Sequence, residues 1–246
     1  MTRASHDSWP QGSFIADLPD AERAALLAAG ESRRFGDEQI LLVQGEPGEF
    51  VYVLTGGLVK IIVEAESGVS TTLALRSRGD LLGEFALLDH KPRTATARAA
   101  GQAIALKIRG AVFLDVINRS PAAQETVTTY LLSKMRSTTQ RRAAERVWEA
   151  KERVAQVLYE LGGRHALPGP DGTLRLPITQ GELGDLAGVA VSTAERVLKD
   201  LRKAGAVATK YREITIKDLP YLGSIRFPQE KSRKPLYAGI SRALIH

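Results

Sequence analysis

The sequence predicts an α+β protein built from a β-rich part, a long helix and a small helical part, and three features indicate this order. Residues 35–109 hold short β-branched runs separated by glycines, which is typical of a small antiparallel barrel or jelly roll. Ser120-Pro121 then opens a long stretch with few helix breakers. Beyond Gly162-Gly163, two short amphipathic helical patterns are flanked by hairpin signals.

The elements of the first half follow from caps and glycines. Residues 1–18 have no regular pattern, Asp20 is placed to cap a helix over 20–29, and Gly30 is placed to close it. Glycines between residues 36 and 79 suit the tight turns of a small barrel. Strands are predicted at 50–54, 58–63, 71–75 and 103–108, with a short helix over 110–118.

The helical pattern that begins at Pro121 is longer than a small domain can cover, so contact with a partner is expected. Val127, Leu131 and Met135 recur at a spacing of four residues, and Thr138 continues the stripe. The stripe predicts the seam of a homodimer. Packing of the same side chains against the barrel is the alternative.

Two short helices around a glycine turn are predicted after residue 178. Thr179 and Glu182 have the spacing of a capping box, in which each side chain accepts a hydrogen bond from the backbone N–H of the other residue. Gly188 supplies the turn, and a second helix is predicted over 191–203. Hairpin signals at Asp171-Gly172 and around 210–212 complete a helix-turn-helix with a hairpin on each side.

Composition excludes several classes of function. The 246 residues suffice for two small domains, and the absence of cysteine excludes disulfides, thiolate metal sites and cysteine-ligated clusters. The four histidines match no metal-binding spacing, so no metal is expected. Neither a nucleophile elbow nor a Walker loop occurs, so an enzyme is not expected. Without a membrane-length apolar run or a signal peptide, a cytoplasmic protein with no membrane partner is the expectation.

The net charge of +6 is concentrated towards the C-terminus. Residues 1–146 carry 18 Lys and Arg against 17 Asp and Glu, whereas residues 147–246 carry 16 against 11. A basic module is the expected footprint of contact with a polyanion, although a solvated basic surface gives the same modest excess.

The stretch 83–94 combines groups that suit a small phosphorylated sugar. A short helix starting near Gly83 points free backbone N–H groups at an anion, and Glu84, followed by Phe85, can accept hydrogen bonds from a ribose hydroxyl. The planar guanidinium of Arg93 fits a phosphodiester, and the Thr94 hydroxyl adds a neutral donor.

The spacing and residue types of this loop resemble the phosphate-binding cassette of cyclic-nucleotide-binding domains, and residues 20–220 resemble the CRP/FNR family of bacterial transcription regulators. The resemblance implies a β-roll (jelly-roll) cyclic-nucleotide-binding domain, a long dimerisation helix and a winged helix-turn-helix domain. It implies cyclic AMP as the effector, with Thr138 and Thr139 where the family's threonine-serine pair meets the adenine. The implied divisions are an arm at 1–19, the roll at 20–120, helix and hinge at 121–147, the DNA-binding domain at 148–225 and a basic tail at 226–246.

Double-stranded DNA, a second copy of the chain and RNA polymerase are the partners that the resemblance implies. The second helix would enter the major groove, where Arg196 can read a guanine and Glu195 can accept from a cytosine amino group or pair with Lys199. Val191-Ser192 lack the glutamate that family members carry there, so the family's usual operator is not implied. The predicted DNA contacts are Thr179, Gln180, Val191, Ser192, Thr193, Glu195, Arg196, Lys199, Lys210 and Arg212.

Two alternatives stay open at this point. A CRP/FNR-type regulator that senses another small molecule, or none, would keep the DNA contacts and lose the nucleotide. A protein-docking signalling module would use the C-terminal helices to bind protein, and salt-dependent binding to DNA separates it from a regulator.

Overall fold

The computed structural model of the chain describes residues 9–226, which form a β-roll, a long helix, and a second domain of helices and a four-stranded sheet. The α+β class and the order of the three parts predicted from the sequence are confirmed. The first eight residues of the predicted arm and the basic tail beyond residue 226 lie outside the described residues.

The roll is a six-stranded antiparallel sheet whose two longest strands, Phe50–Glu64 (β3) and Thr96–Arg109 (β6), pair along most of their length. The sequence predicted two strands at 50–54 and 58–63, but the structure has one strand with register shifts on both sides of Gly56. Two glycines there form an irregularity instead of a turn, and a Cβ on Gly57 would lie 2.1 Å from the Gln102 carbonyl oxygen. The remaining strands are Glu31–Phe35 (β1), Ile40–Leu42 (β2), Ser70–Arg76 (β4) and Leu81–Leu82 (β5).

Short helices close the roll over an apolar core that contains Phe14, Phe113 and Tyr130. The predicted cap at Asp20 is wrong. Pro19 occupies the cap position, and the Asp20 carboxylate, in the first turn, pairs with Arg23 instead. These helices are Phe14–Asp17 (α1), Asp20–Ala29 (α2), Glu84–Asp89 (α3) and Gly110–Asn118 (α4).

The long helix spans Pro121–Val147 (α5) and is followed by Ala150–Arg164 (α6). The sequence shows no breaker between these two helices. The chain nevertheless leaves the first helix at Trp148, whose backbone is extended, and a capping box at Glu149 starts the second helix. The predicted stripe on α5 divides: Val127 is buried against the roll, whereas Met135 is 61% exposed.

The second domain contains the predicted helix-turn-helix, Gln180–Ala187 (α7) and Val191–Lys203 (α8). The Thr179–Glu182 capping box forms in both directions, and Gly188 makes the turn with a φ of +61°. The sheet consists of Leu167–Pro168 (β7), Leu174–Leu176 (β8), Val207–Lys210 (β9) and Glu213–Ile216 (β10), and Leu219–Arg226 (α9) follows. The predicted hairpin at 210–212 is the two-residue turn between β9 and β10, here called the wing.

The two domains share a packed interface. Leu75 of β4 is 1% exposed and belongs to the apolar core of the second domain. Nearby, the Ser77 hydroxyl lies 2.8 Å from Nδ1 of His165, which follows α6. Burial of this imidazole, helped by the charges of Arg76, Arg164 and Arg141, lowers its pKa to about 4.

The low pKa of His165 predicts a pH dependence of stability. As the pH falls, the unfolded chain binds a proton at His165 before the folded chain does. The contribution of the neutral imidazole to the free energy of unfolding is therefore complete above about pH 6.5 and is lost as the pH falls towards about 4. Between about pH 7 and about pH 5 the free energy of unfolding should fall by at most roughly 2 kcal/mol from this group alone. Urea unfolding of the unchanged chain and of His165→Gln at both pH values measures this loss. Titration of the carboxylates affects both proteins alike, so the difference between them reports on His165. Equal losses in the two proteins would contradict the assignment.

Candidate ligand pocket and DNA-binding surface

The loop from β5 into α3 brings the predicted phosphate-binding residues together. Gly83 caps α3 with a φ of +84°, and a Cβ built on it would lie 2.3 Å from a terminal nitrogen of Arg93. Only glycine fits both the left-handed backbone and the space beside the guanidinium. The glycine therefore leaves room for the guanidinium in its observed position.

Arg93 is a buried cation held by backbone carbonyls. Its side chain donates to the carbonyls of Gly83 (3.2 Å) and Phe50 (2.8 Å), and the guanidinium stacks 4.8 Å from the centre of the Phe50 ring. Burial lowers its pKa, with the charge of Glu46 acting in the opposite direction. Within residues 9–226, no carboxylate lies at ion-pair distance from Arg93, so its charge is available to an anion.

Glu84 is 2% exposed and pairs with a residue that the sequence did not indicate. Nζ of Lys134, on α5, donates to the Glu84 carboxylate at 2.5 Å and to the Leu81 carbonyl at 3.2 Å. Burial lowers the pKa of Lys134, while the Glu84 charge opposes that shift. The pair thus links the loop to the long helix.

These groups line a cavity of about 100 Å³. Ordinary ligand cavities measure roughly 300–1,000 Å³, so a nucleotide can enter only if lining side chains move. Of the predicted ligand residues, the cavity brings together Gly83, Glu84, Phe85, Arg93 and Thr94, and it adds Arg76 and Lys134.

Thr138 and Thr139 do not line the cavity. Both are exposed on α5, and their hydroxyls donate to the carbonyls of Lys134 and Met135, four residues earlier, at 3.1 Å each. Lys134 lies one turn before Thr138 on the same helix face, and this spacing is the signal by which it could have been found. Arg76 carries no comparable signal, because it follows an ordinary strand pattern.

Helix α8, the second helix of the helix-turn-helix, is the predicted recognition helix, and most of its predicted DNA contacts are exposed. Val191, Ser192, Glu195, Arg196 and Lys199 are exposed, whereas Thr179, Gln180 and Thr193 are half-buried near the helix starts.

The two DNA contacts predicted at the hairpin of β9 and β10 differ in exposure. Lys210 is exposed, but Arg212 is turned towards the roll and pairs with Glu38.

The described residues contain neither a candidate metal site nor a candidate membrane-spanning helix. Residues 9–226 contain no group of three or more His, Asp or Glu that could hold a metal ion. None of their helices combines the length and apolar character that crossing a bilayer requires.

Known protein families match both halves of the chain. The cyclic nucleotide-binding domain matches residues 32–120, and the Crp-like helix-turn-helix domain matches residues 152–225. The chain belongs to the CRP/FNR family. It is therefore a DNA-binding transcription regulator that carries a cyclic-nucleotide-binding domain.

Individual relatives agree with this placement. A CRP-like cAMP-activated global transcriptional regulator of Mycobacterium tuberculosis is 27% identical over 180 residues, which are 72% of this chain and 80% of that protein. An anaerobic regulatory protein of Haemophilus influenzae is 25% identical over 182 residues, 74% of this chain and 70% of that one. The structure of a CRP/FNR-family regulator from Thermus thermophilus superposes with a TM-score of 0.66 at 25% identity, covering 80% of this chain and 98% of that one.

The close approach of Arg93 to Gly83 predicts that a side chain added at residue 83 lowers the stability of the protein. Gly83→Ala should lower the free energy of unfolding by more than the roughly 1–2 kcal/mol of a left-handed alanine, because Arg93 must also move. Gly68→Ala is the matched control, since Gly68 has a φ of +79° and no atom within 4 Å of the added Cβ. Urea unfolding of both variants measures the difference, and equal losses would show that Gly83 does not position Arg93.

Proposed function

We propose that the cavity binds a cyclic nucleotide, with cyclic AMP as the first candidate, and that this ligand controls sequence-specific DNA binding by a homodimer. The observation that carries the proposal is the Arg93 guanidinium, which is buried at the cavity and has no carboxylate at ion-pair distance among residues 9–226. The buried carboxylate of Glu84 lines the same cavity. A buried cation of this kind costs free energy unless an anion compensates it, and a phosphodiester matches its planar donors. The M. tuberculosis relative named as cAMP-activated supports the choice of nucleotide.

The remaining groups fit a ribose phosphate. Arg93 and Thr94 would hold the cyclic phosphate, and Glu84 would accept a hydrogen bond from the ribose hydroxyl. Because Glu84 already accepts from Lys134, the ligand would alter a contact that α5 makes with the roll. Such a differential contact is what an allosteric effector requires.

The exposed side of α5 is the proposed homodimer seam. Leu132 and Met135, three residues apart on α5, are 46% and 61% exposed, and they lie on one side of the helix, where a second helix can cover both. A second α5 would cover them and would bring the exposed hydroxyls of Thr138 and Thr139 towards the partner's cavity. Two recognition helices would then meet half-sites about 34 Å apart, with RNA polymerase as a further partner.

Substitution of Arg93 tests ligand binding. Arg93→Ala should weaken cyclic AMP binding by roughly tenfold to a hundredfold or more, since a hydrogen bond to a charged group contributes about 1.5–3 kcal/mol. Isothermal titration calorimetry measures the affinity, with circular dichroism to confirm that the variant folds. The exposed Arg109→Ala is the control for loss of one positive charge. Unchanged affinity in Arg93→Ala would refute the ligand site.

Substitution of Arg196 tests base reading. Arg196→Ala should relax sequence preference at one base pair in each half-site, by roughly 1–3 kcal/mol. Selection from a random duplex pool, compared with the exposed Lys203→Ala at the far end of α8, measures the preference. If the selected sequences are the same for both variants, Arg196 does not read a base.

A further inference from the structure

The wing is held by an acidic pair on the roll. Asp37 and Glu38 lie in the turn between β1 and β2, and Arg212 lies in the turn of the wing. A terminal nitrogen of Arg212 contacts the Glu38 carboxylate and lies 4.0 Å from the Asp37 carboxylate. The contact with Glu38 joins residues 174 positions apart in the chain.

A buried lysine extends this contact to the helix-turn-helix. Lys60 of β3 is 1% exposed, and its Nζ contacts the carboxylates of Glu38 and, at 2.7 Å, Glu182. Burial alone would raise the pKa of Glu38, but its hydrogen bond and charge contacts with Lys60 and Arg212 keep the pKa below the usual value. A second contact fixes α7, because the backbone N–H of Thr72 donates to the Asp185 carboxylate at 2.9 Å.

These contacts occupy groups that the chain would use on DNA. Arg212 is a predicted DNA contact, and a DNA phosphate must compete with the Asp37 and Glu38 carboxylates for its charge. Glu182 caps the first helix of the motif that must approach the duplex. The carboxylates of the roll therefore compete with DNA for the wing.

Strand β4 connects this surface to the ligand cavity. At one end Thr72 binds α7, and the next carbonyl, of Leu73, accepts from Arg141 of α5 at 2.7 Å. Leu75 packs in the core of the second domain, and Arg76 lines the cavity. A ligand that displaces Arg76 therefore acts on the strand that supports α7.

We propose that Asp37, Glu38 and Lys60 form a docking surface for the chain's own wing and α7, which holds the DNA-binding domain back from DNA until the cavity is filled. The release by ligand rests on the proposed function, whereas the docking itself is a property of the ligand-free protein. A coupling of this kind typically changes affinity by about 5–150-fold.

The test compares two isosteric charge removals in the ligand-free full chain. Glu38→Gln removes one carboxylate of the docking surface, and Glu31→Gln removes one from an exposed pair with Arg33 on the same roll. Fluorescence anisotropy with a labelled duplex of mixed sequence measures affinity for DNA. We expect Glu38→Gln to bind about fivefold more tightly than Glu31→Gln or better. Equal affinities would overturn the docking proposal.

A second test measures a distance within the protein and needs no DNA. Because the chain has no cysteine, Gln102→Cys on the roll and Tyr211→Cys in the wing can carry two spin labels, with labelled protein diluted into unlabelled chain. Tyr211 is 92% exposed, so the label does not replace a packed side chain. Glu38→Gln should lengthen or broaden the label distance, and Glu31→Gln should not. An unchanged distance would overturn the docking proposal, whereas a failure of cyclic AMP to bind would overturn the proposed function alone.

Discussion

The buried pair of Glu84 and Lys134 is the contact on which the arrangement of the N-terminal half depends. It joins the cavity loop to α5, and both charges lie in a poorly solvated site where each needs the other. Removing one partner of such a pair costs about 3–5 kcal/mol, because it leaves an uncompensated charge. A ligand that displaces Lys134 by donating its own hydrogen bond to Glu84 must therefore offer Lys134 another acceptor. An anionic phosphate beside a ribose hydroxyl can do both, whereas a neutral sugar cannot.

The second domain depends on charge in a different way. Its apolar core is continuous with the roll through Leu75. Its orientation follows from the ion pair of Lys60 with Glu182 and from the hydrogen bond that the Thr72 backbone N–H donates to Asp185. Apolar contacts are non-directional, while paired charges and hydrogen bonds set position. Apolar packing thus keeps the two domains together, and the polar contacts decide which face of the second domain is turned outwards.

Local signals explain which parts of the molecule the sequence could predict. The capping box at Thr179 and Glu182, the turn at Gly188 and the helix start at Ser120-Pro121 each depend on neighbours within four residues, and each forms as predicted. The grouping of Gly83 with Arg93 follows from a short loop of the chain. Helix periodicity places Lys134 one turn before Thr138, but it does not show that Lys134 meets Glu84, 50 residues away. No local pattern joins Arg212 to Glu38, which lie 174 residues apart. The roles of the ligand and DNA residues stay predictions.

Leu75 also limits how the molecule can be divided. A strand of the N-terminal domain supplies one of the most completely enclosed side chains in the C-terminal core. A fragment that begins after α5 would lack this leucine from its core, and lost leucines in cores cost about 2–5 kcal/mol. The second domain therefore does not contain the whole of its own apolar core. Part of its interior comes from the N-terminal domain, so a movement between the two domains changes the stability of the second.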